Sequence, residues 1–216
     1  MSRYVRDVGP SRAYRRRIPW ALGHLGRLQQ TAGRPLRVLS FGCGPEPVLR
    51  EFLAQGGQAT LTLCDSEPRA LERCRLHFRR LERQLGTQLD IDYVRISAQC
   101  LIIDGAAAAS LRLSAGTEGY DAILVLGLLD YLQEEIILNL LDILVAMLRS
   151  GGELFVTTMH RANRWRALME YVGNWRLLHR DEDELRDLVV GHPQRLEPVE
   201  LITDVTGANL YFVGRR

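Results

Sequence analysis

The ten residues Leu36-Arg37-Val38-Leu39-Ser40-Phe41-Gly42-Cys43-Gly44-Pro45 constrain this chain more than any others. An apolar strand pattern runs into a turn with two glycines, and a helical spacing of apolar residues (Val48, Leu49, Phe52, Leu53) begins at once. A second short apolar strand, Leu61-Thr62-Leu63-Cys64-Asp65, follows and ends in a carboxylate. In an open α/β sheet this combination builds a nucleoside site. Glycines let the backbone approach the ligand, and an acid at the tip of the next strand accepts hydrogen bonds from ribose hydroxyls. A lone Gly-x-Gly marks only a tight turn; strand, helix and Asp65 in register favour the nucleoside site.

What is missing narrows the cofactor. The dinucleotide fingerprint places a third glycine three residues after the second, where this chain has Pro47. NAD and FAD are therefore disfavoured. All 28 basic residues are arginine, which removes the Walker A lysine and any pyridoxal Schiff base. An adenosine cofactor without a phosphate chain remains.

The 216 residues, 46% of them hydrophobic, suit one domain with a full core. No apolar run approaches the roughly 20 residues of a membrane span; the strongest, Ile136 to Leu148, is interrupted by Asn139 and Asp142. The N-terminal residues are arginine-rich without an apolar signal core, so a cytoplasmic location is expected. Cysteines 43, 64, 74 and 100 lack metal-ligand spacing. They read as reduced, mostly packing thiols, and no metal is expected. Residues 1 to 37 carry nine arginines against the single acid Asp7. This reads as a solvated helix face rather than a nucleic-acid arm.

Along the chain, Ser11 to Leu28 has the spacing of an amphipathic helix. Ser66 and Pro68 open another helix, whose apolar stripe is Leu71, Cys74, Phe78, Leu81 and Leu85. Ile91 to Ile96 is a strand. Residues 104 to 119 fit either a short helix or a loop. Asp121 to Leu126 reads as a strand buried on both faces, and a deeply packed helix follows around Glu134 to Leu148. Next come a strand over Glu153 to Met159, a helix around Trp165 to Val172, and one opened by Asp181 to Glu184. Val199 to Asp204 and Asn209 to Val213 pair as a hairpin about Gly207. Strand–helix alternation closed by a hairpin predicts a doubly wound sheet with an antiparallel strand at or near its edge.

Ligands in such sheets sit beyond the carboxyl ends of the strands. The candidate cofactor contacts are accordingly Ser40, Phe41, Gly42, Cys43 and Gly44 in the first turn, and Asp65 and Ser66 after the second strand. Ser97, Ala98 and Gln99 would lie beside the adenine, and Leu126, Gly127 and Leu128 would follow the fourth strand. Tyr131 is a candidate for the acceptor pocket, where Asp130 either orients it or caps the next helix. His160, at a strand end, is the candidate base. The segment Met169 to Arg180 is either a packed cover helix with Tyr171 and Trp175 in the core, or a lid in which His179 or Arg180 binds a carboxylate.

These pieces resemble class I S-adenosylmethionine-dependent methyltransferases. The match covers Val38 to Pro45, Asp65, Tyr120 to Gly127, and Met147-Leu148-Arg149-Ser150-Gly151-Gly152-Glu153-Leu154. The resemblance implies a Rossmann-like, mostly parallel seven-stranded α/β sheet and S-adenosyl-L-methionine as cofactor. It divides the chain into an arm with a lid helix (1–33) and a cofactor-binding domain (34–216). In that family an acid often stands two residues before the first glycine; here the residue is Ser40, so its contact is weaker or made elsewhere. A narrower resemblance, to bacterial synthases of 3-hydroxy fatty acid methyl ester signals, rests on Gly127 to Leu132, Asn163, Glu170-Tyr171, Trp175 to Arg180 and Arg16-Arg17-Ile18. It places Arg17 with the cofactor contacts and implies a fatty-acid-like carboxylate acceptor at Tyr131, His160 and Arg180. An O- or N-methyltransferase with His160 as base, an RNA methyltransferase using the arginine-rich arm, and a cofactor-binding subunit without turnover are the alternatives. Oligomers remain open.

Overall fold

The computed structural model describes residues 9–190 and 196–216. Its strands are β1 (Leu36–Phe41), β2 (Ala59–Asp65), β3 (Ile91–Arg95), β4 (Tyr120–Leu126), β5 (Leu148–Met159), β6 (Glu197–Thr203) and β7 (Asn209–Arg215). They form one sheet in the order β3-β2-β1-β4-β5-β7-β6. The first five are parallel, and β7 runs antiparallel to both β5 and β6. The C-terminal hairpin thus inserts its second strand next to β5 and leaves β6 at the edge.

Both faces of the sheet are covered, which explains the apolar run Ala122 to Leu126 in β4. Val38, Ala122 and Leu124 pack with α1 (Gly9–Ala32), α2 (Pro47–Ala54) and α3 (Pro68–Leu85). Leu39, Ile123 and Val125 face the other way, toward α4 (Ala98–Ile103), α5 (Gly105–Ser114), α6 (Glu134–Met147) and α7 (Glu182–Val190). The period-two alternation of strand side chains divides the core in this way. No helix among the described residues is long and apolar enough to cross a membrane.

Several local expectations change. The undecided stretch after residue 104 is helical, because the Asp104 side chain accepts the amides of Ala106 and Ala107 and caps α5. Glu67, not Ser66, caps α3 through the Arg69 amide. Leu85 leaves the core stripe and is 42% exposed, since the helix ends at the left-handed Gly86. The expected helix around Trp165 to Val172 is instead a π-helical turn, Leu168–Val172. At α7 the acids form a capping box: Asp181 Oδ1 accepts the Glu184 amide, and Glu184 Oε2 accepts the Asp181 amide, both at 2.9 Å.

The N-terminal helix is fastened to the far end of the chain. Glu200 on β6 accepts a hydrogen bond from Trp20 Nε1 at 2.6 Å, and lies 3.0 Å from His24 Nε2. Ala21, Leu25 and Leu28 are buried beneath. Arg3, Arg6 and Asp7 of the arginine-rich arm lie outside the described residues.

A buried ion cluster braces the opposite end of the sheet. Asp121 is fully buried and accepts the Arg37 amide at 2.7 Å, both Arg34 Nη atoms at 2.9 and 3.1 Å, and Arg149 Nε. Burial works to raise its pKa, but these donors overcome it and hold the carboxyl below the usual range. A depressed folded pKa stabilises above the unfolded value, about 3.9, and that stabilisation is lost as pH falls through the lower folded value. Asp121→Asn is therefore expected to cost about 1.5–3 kcal/mol at pH 7, with the gap to wild type shrinking below about pH 4. Urea unfolding at both pH values reads this; a gap that persists unchanged in acid would refute it.

Candidate active site

β1 and β4 are neighbours, yet the chain leaves β1 toward β2 and β3, and leaves β4 toward β5. In open α/β sheets the crevice at such a switch point binds ligands. A cavity of about 180 Å³ lies here, walled by Gly42, Cys43 and Gly44 after β1, Leu126 and Gly127 after β4, and Thr157 and Met159 of β5. Tyr14 and Arg17 of α1 close one side, and Asp130, Tyr131, Trp175, Leu177 and Asn209 the other. A roomier hollow of about 470 Å³ between α1 and α2 sits at the amino ends of β1 and β2, and no acid, histidine or cysteine lines it.

The glycines shape the cavity floor. Gly42 has φ +68°, and a Cβ there would stand 3.2 Å from Leu128. Gly127 has φ +83°, and a Cβ would stand 3.2 Å from Arg17 Nη1. Side chains would strain both turns and block the approach of a ligand. Asp65 fixes the first turn, since its Oδ2 accepts the Gly44 amide at 2.8 Å and its Oδ1 the Glu67 amide at 2.9 Å.

Ser40 lies beneath the turn rather than on the cavity wall. Its hydroxyl donates to Glu46, whose other oxygen accepts the Leu49 amide at 3.2 Å. Glu46 is buried and left-handed (φ 41°), and caps α2 with Pro47 at its first position. Burial raises its pKa; the Ser40 hydroxyl, the Leu49 amide and the Arg17 charge oppose that rise. Sequence reasoning missed this acid. Its signal was the Glu46-Pro47 pair, because proline favours the first helical position and leaves the residue before it as the cap.

Arg17 is buried over the turn after β4. Nη1 donates to the Leu126 carbonyl at 2.9 Å, and the guanidinium lies 3.5 Å from the Tyr14 ring centroid. Nε is buried without a hydrogen-bond partner. Asp130 is also buried: Oδ1 accepts Thr158 Oγ1 at 2.5 Å and the Met159 amide at 2.8 Å. It ties the 3₁₀ turn Leu129–Tyr131 to β5 and does not cap α6. Burial pushes its carboxyl above the usual range, opposed by Thr158, Met159 and the charges of Arg180 and Arg17. Tyr131 lines the cavity, and its hydroxyl accepts Trp175 Nε1 at 2.8 Å.

Two expected residues point elsewhere. The His160 ring is held between α7 and the β6–β7 turn, 3.3 Å from Glu182 Oε2 and 3.3 Å from the Gly207 carbonyl, and does not line the cavity. Arg180 is buried, with Nη1 donating to the Leu129 carbonyl at 3.0 Å and Nη2 to the Leu132 carbonyl at 3.2 Å. Its fork secures the turn that carries Asp130 and Tyr131 instead of facing an acceptor. His179 shares a separate hollow with Arg180, and burial lowers its pKa. The segment before it is neither a cover helix nor cored by its aromatics. Met169 and Leu177 pack on Met159, while Tyr171 is exposed and Trp175 half-exposed. Ser66 and Gln99 are exposed and do not line the cavity; Ser97 caps α4 through the Cys100 amide, and Ala98 is buried.

The strand order, the glycine turn under the switch point and the acid ending β2 define the Rossmann-like methyltransferase fold. The chain belongs to the methyltransferase-domain family, whose model matches residues 12–212. No curated protein matches it. Among solved structures, it is similar to the magnesium protoporphyrin IX methyltransferase ChlM from Synechocystis PCC 6803 with bound S-adenosylhomocysteine (13% identity, TM-score 0.67, covering 100% of this chain and 88% of that one). It is also similar to the N-methyltransferase NodS from Bradyrhizobium japonicum WM9 in complex with S-adenosylhomocysteine (20%, TM-score 0.59, 92% and 86%). A third is the 1,6-didemethyltoxoflavin-N1-methyltransferase from Burkholderia thailandensis (20%, TM-score 0.59, 95% and 84%).

Proposed function

We propose that this chain is an S-adenosylmethionine-dependent methyltransferase whose acceptor is a small carboxylate with an apolar, fatty-acid-like body. The observation that carries the cofactor assignment is Arg17. Its buried Nε lacks a partner in a cavity floored by Gly42 and Gly127, which suits the carboxylate end of the cofactor's methionine. Asp65 would accept the ribose hydroxyls. When bound, the cofactor supplies an electrophilic methyl group.

The residues of the chain would then position and dehydrate the reacting groups. Tyr131 and Trp175, joined by their 2.8 Å hydrogen bond, would narrow the cavity around the acceptor and limit its contact with water. A carboxylate acceptor is ionised at pH 7 and needs no base, whereas a hydroxyl needs one. This favours the carboxylate, because His160 is held away from the cavity by Glu182 and Gly207. The alternative with His160 as base loses that support. The relatives' names cover different acceptors, so the acceptor class rests on the cavity.

Asp65→Ala should weaken S-adenosylhomocysteine binding by about 1.5–3 kcal/mol, as for hydrogen bonds to a charged group. Asp65→Asn, which preserves an acceptor for the Gly44 amide, separates ribose contact from loop order. Calorimetry reporting wild-type affinity for both variants would remove Asp65 from the site. Incubation with labelled cofactor and paired fatty acids and fatty alcohols tests the acceptor: methyl esters are expected, and transfer to the alcohols alone would overturn the carboxylate reading.

A further inference from the structure

A second hollow opens on the outer side of Tyr131. It has a volume of about 530 Å³ and shares Asp130, Tyr131 and Leu177 with the inner cavity. Its own wall includes Arg166, Glu170, Tyr171 and Arg176. The segment after the π-helical turn divides the two spaces. Asn174 is left-handed (φ 46°), and of the next two residues Trp175 lines the inner cavity while Arg176 lines the outer groove. The hydrogen bond from Trp175 Nε1 to the Tyr131 hydroxyl lies in the partition.

The groove is amphipathic, with Arg166 and Arg176 facing Glu170 and the buried Asp130 across apolar surface. Arg166 is paired with Glu170 at 2.7 Å, and the Glu170 carboxylate also lies in the field of Arg176. The Arg176 guanidinium is exposed and makes no hydrogen bond or ion pair among the described residues. Asp130, in the shared wall, has its Oδ1 occupied by Thr158 and Met159 and lies in the fields of Arg180 and Arg17, so Arg176 is not its partner. Tyr171, Leu177 and Leu178 supply apolar surface beside the cation. A guanidinium fork flanked by apolar and aromatic surface matches an oxyanion on an apolar chain.

We propose that the outer groove is a second acceptor subsite, in which Arg176 binds an oxyanion, carboxylate or phosphate-like, remote from the atom that is methylated. The acceptor would therefore be a bifunctional anion whose reacting end passes Tyr131 and Trp175 into the cavity. This deepens the methyltransferase reading and rests on it.

Calorimetry of the full chain with octanoate, octanedioate and 8-phosphonooctanoate, with and without saturating S-adenosylhomocysteine, tests the subsite. The three probes share a chain and differ in the remote end. At least one of the two bifunctional probes is expected to bind about tenfold more tightly than octanoate, as for one charge-assisted contact; which one gains identifies the oxyanion. Arg176→Gln should abolish that gain while leaving octanoate affinity, S-adenosylhomocysteine affinity and the melting temperature unchanged. Equal affinities for all three probes, or a gain that survives Arg176→Gln, would overturn the proposal. Failure to bind S-adenosylhomocysteine would instead count against the methyltransferase reading, and the titrations without it still read the groove.

Discussion

Replacing Arg180 by methionine is expected to destabilise the protein by about 3 kcal/mol or more, since two hydrogen bonds from a charged group are lost at about 1.5–3 kcal/mol each. Methionine keeps most of the stem's bulk but abandons the Leu129 and Leu132 carbonyls and removes one of the two cations, with Arg17, whose fields favour ionised Asp130. For a chain of this size the melting temperature should fall by about 2–4 °C for each kcal/mol. The double variant Arg180→Met with Asp130→Asn should recover part of the loss, because the buried carboxylate that the Arg180 field favours is then gone. A folded single variant with wild-type stability would show that Arg180 does not hold the turn. That result would reopen a role for its fork in acceptor binding.

The second large effect is expected at Arg17. Truncating a buried, hydrogen-bonded charge at a binding surface typically costs about 2–5 kcal/mol, so Arg17→Met should weaken S-adenosylhomocysteine binding by at least about thirtyfold. The variant should remain folded, since the helix is anchored further along by Trp20, His24 and the buried Leu25. Circular dichroism and calorimetry on the same sample separate the two effects. Unchanged affinity in the folded variant would take Arg17 out of the cofactor site.

The layers of this fold were legible because each strand and helix wrote its own periodicity. β4 read as a strand buried on both faces from its near-continuous apolar run, β1 as an apolar strand running into the glycine turn, and α3 from the spacing of Leu71, Cys74, Phe78 and Leu81. The glycine turn and Asp65 were legible for the same local reason: strand, turn and acid lie within thirty residues of one another. Contacts set by tertiary packing were not. His160 and Arg180 follow the right strand and carry suitable chemistry, but sequence spacing does not reveal which way a loop side chain turns. Here His160 turns to Glu182 and Arg180 turns to backbone carbonyls. Glu46 was hidden by reading Pro47 only as a missing glycine. The π-helical turn has no periodic signature, so the exposure of Tyr171 and the facing of Trp175 and Arg176 came from the structure alone.

The fastening of α1 has a consequence for the order of events during synthesis. Trp20 and Glu200 are separated by 180 positions, so the bond that seats the helix forms only after β6 has left the ribosome. Contacts between such distant residues form late, because a long loop must close before they reward it. Gly42, Asp65 and Gly127 can assemble on a nascent sheet well before then. The helix that carries Arg17 can pack on β1 and α2 early, but the bond that fixes it over the cavity follows the assembly of the cavity floor.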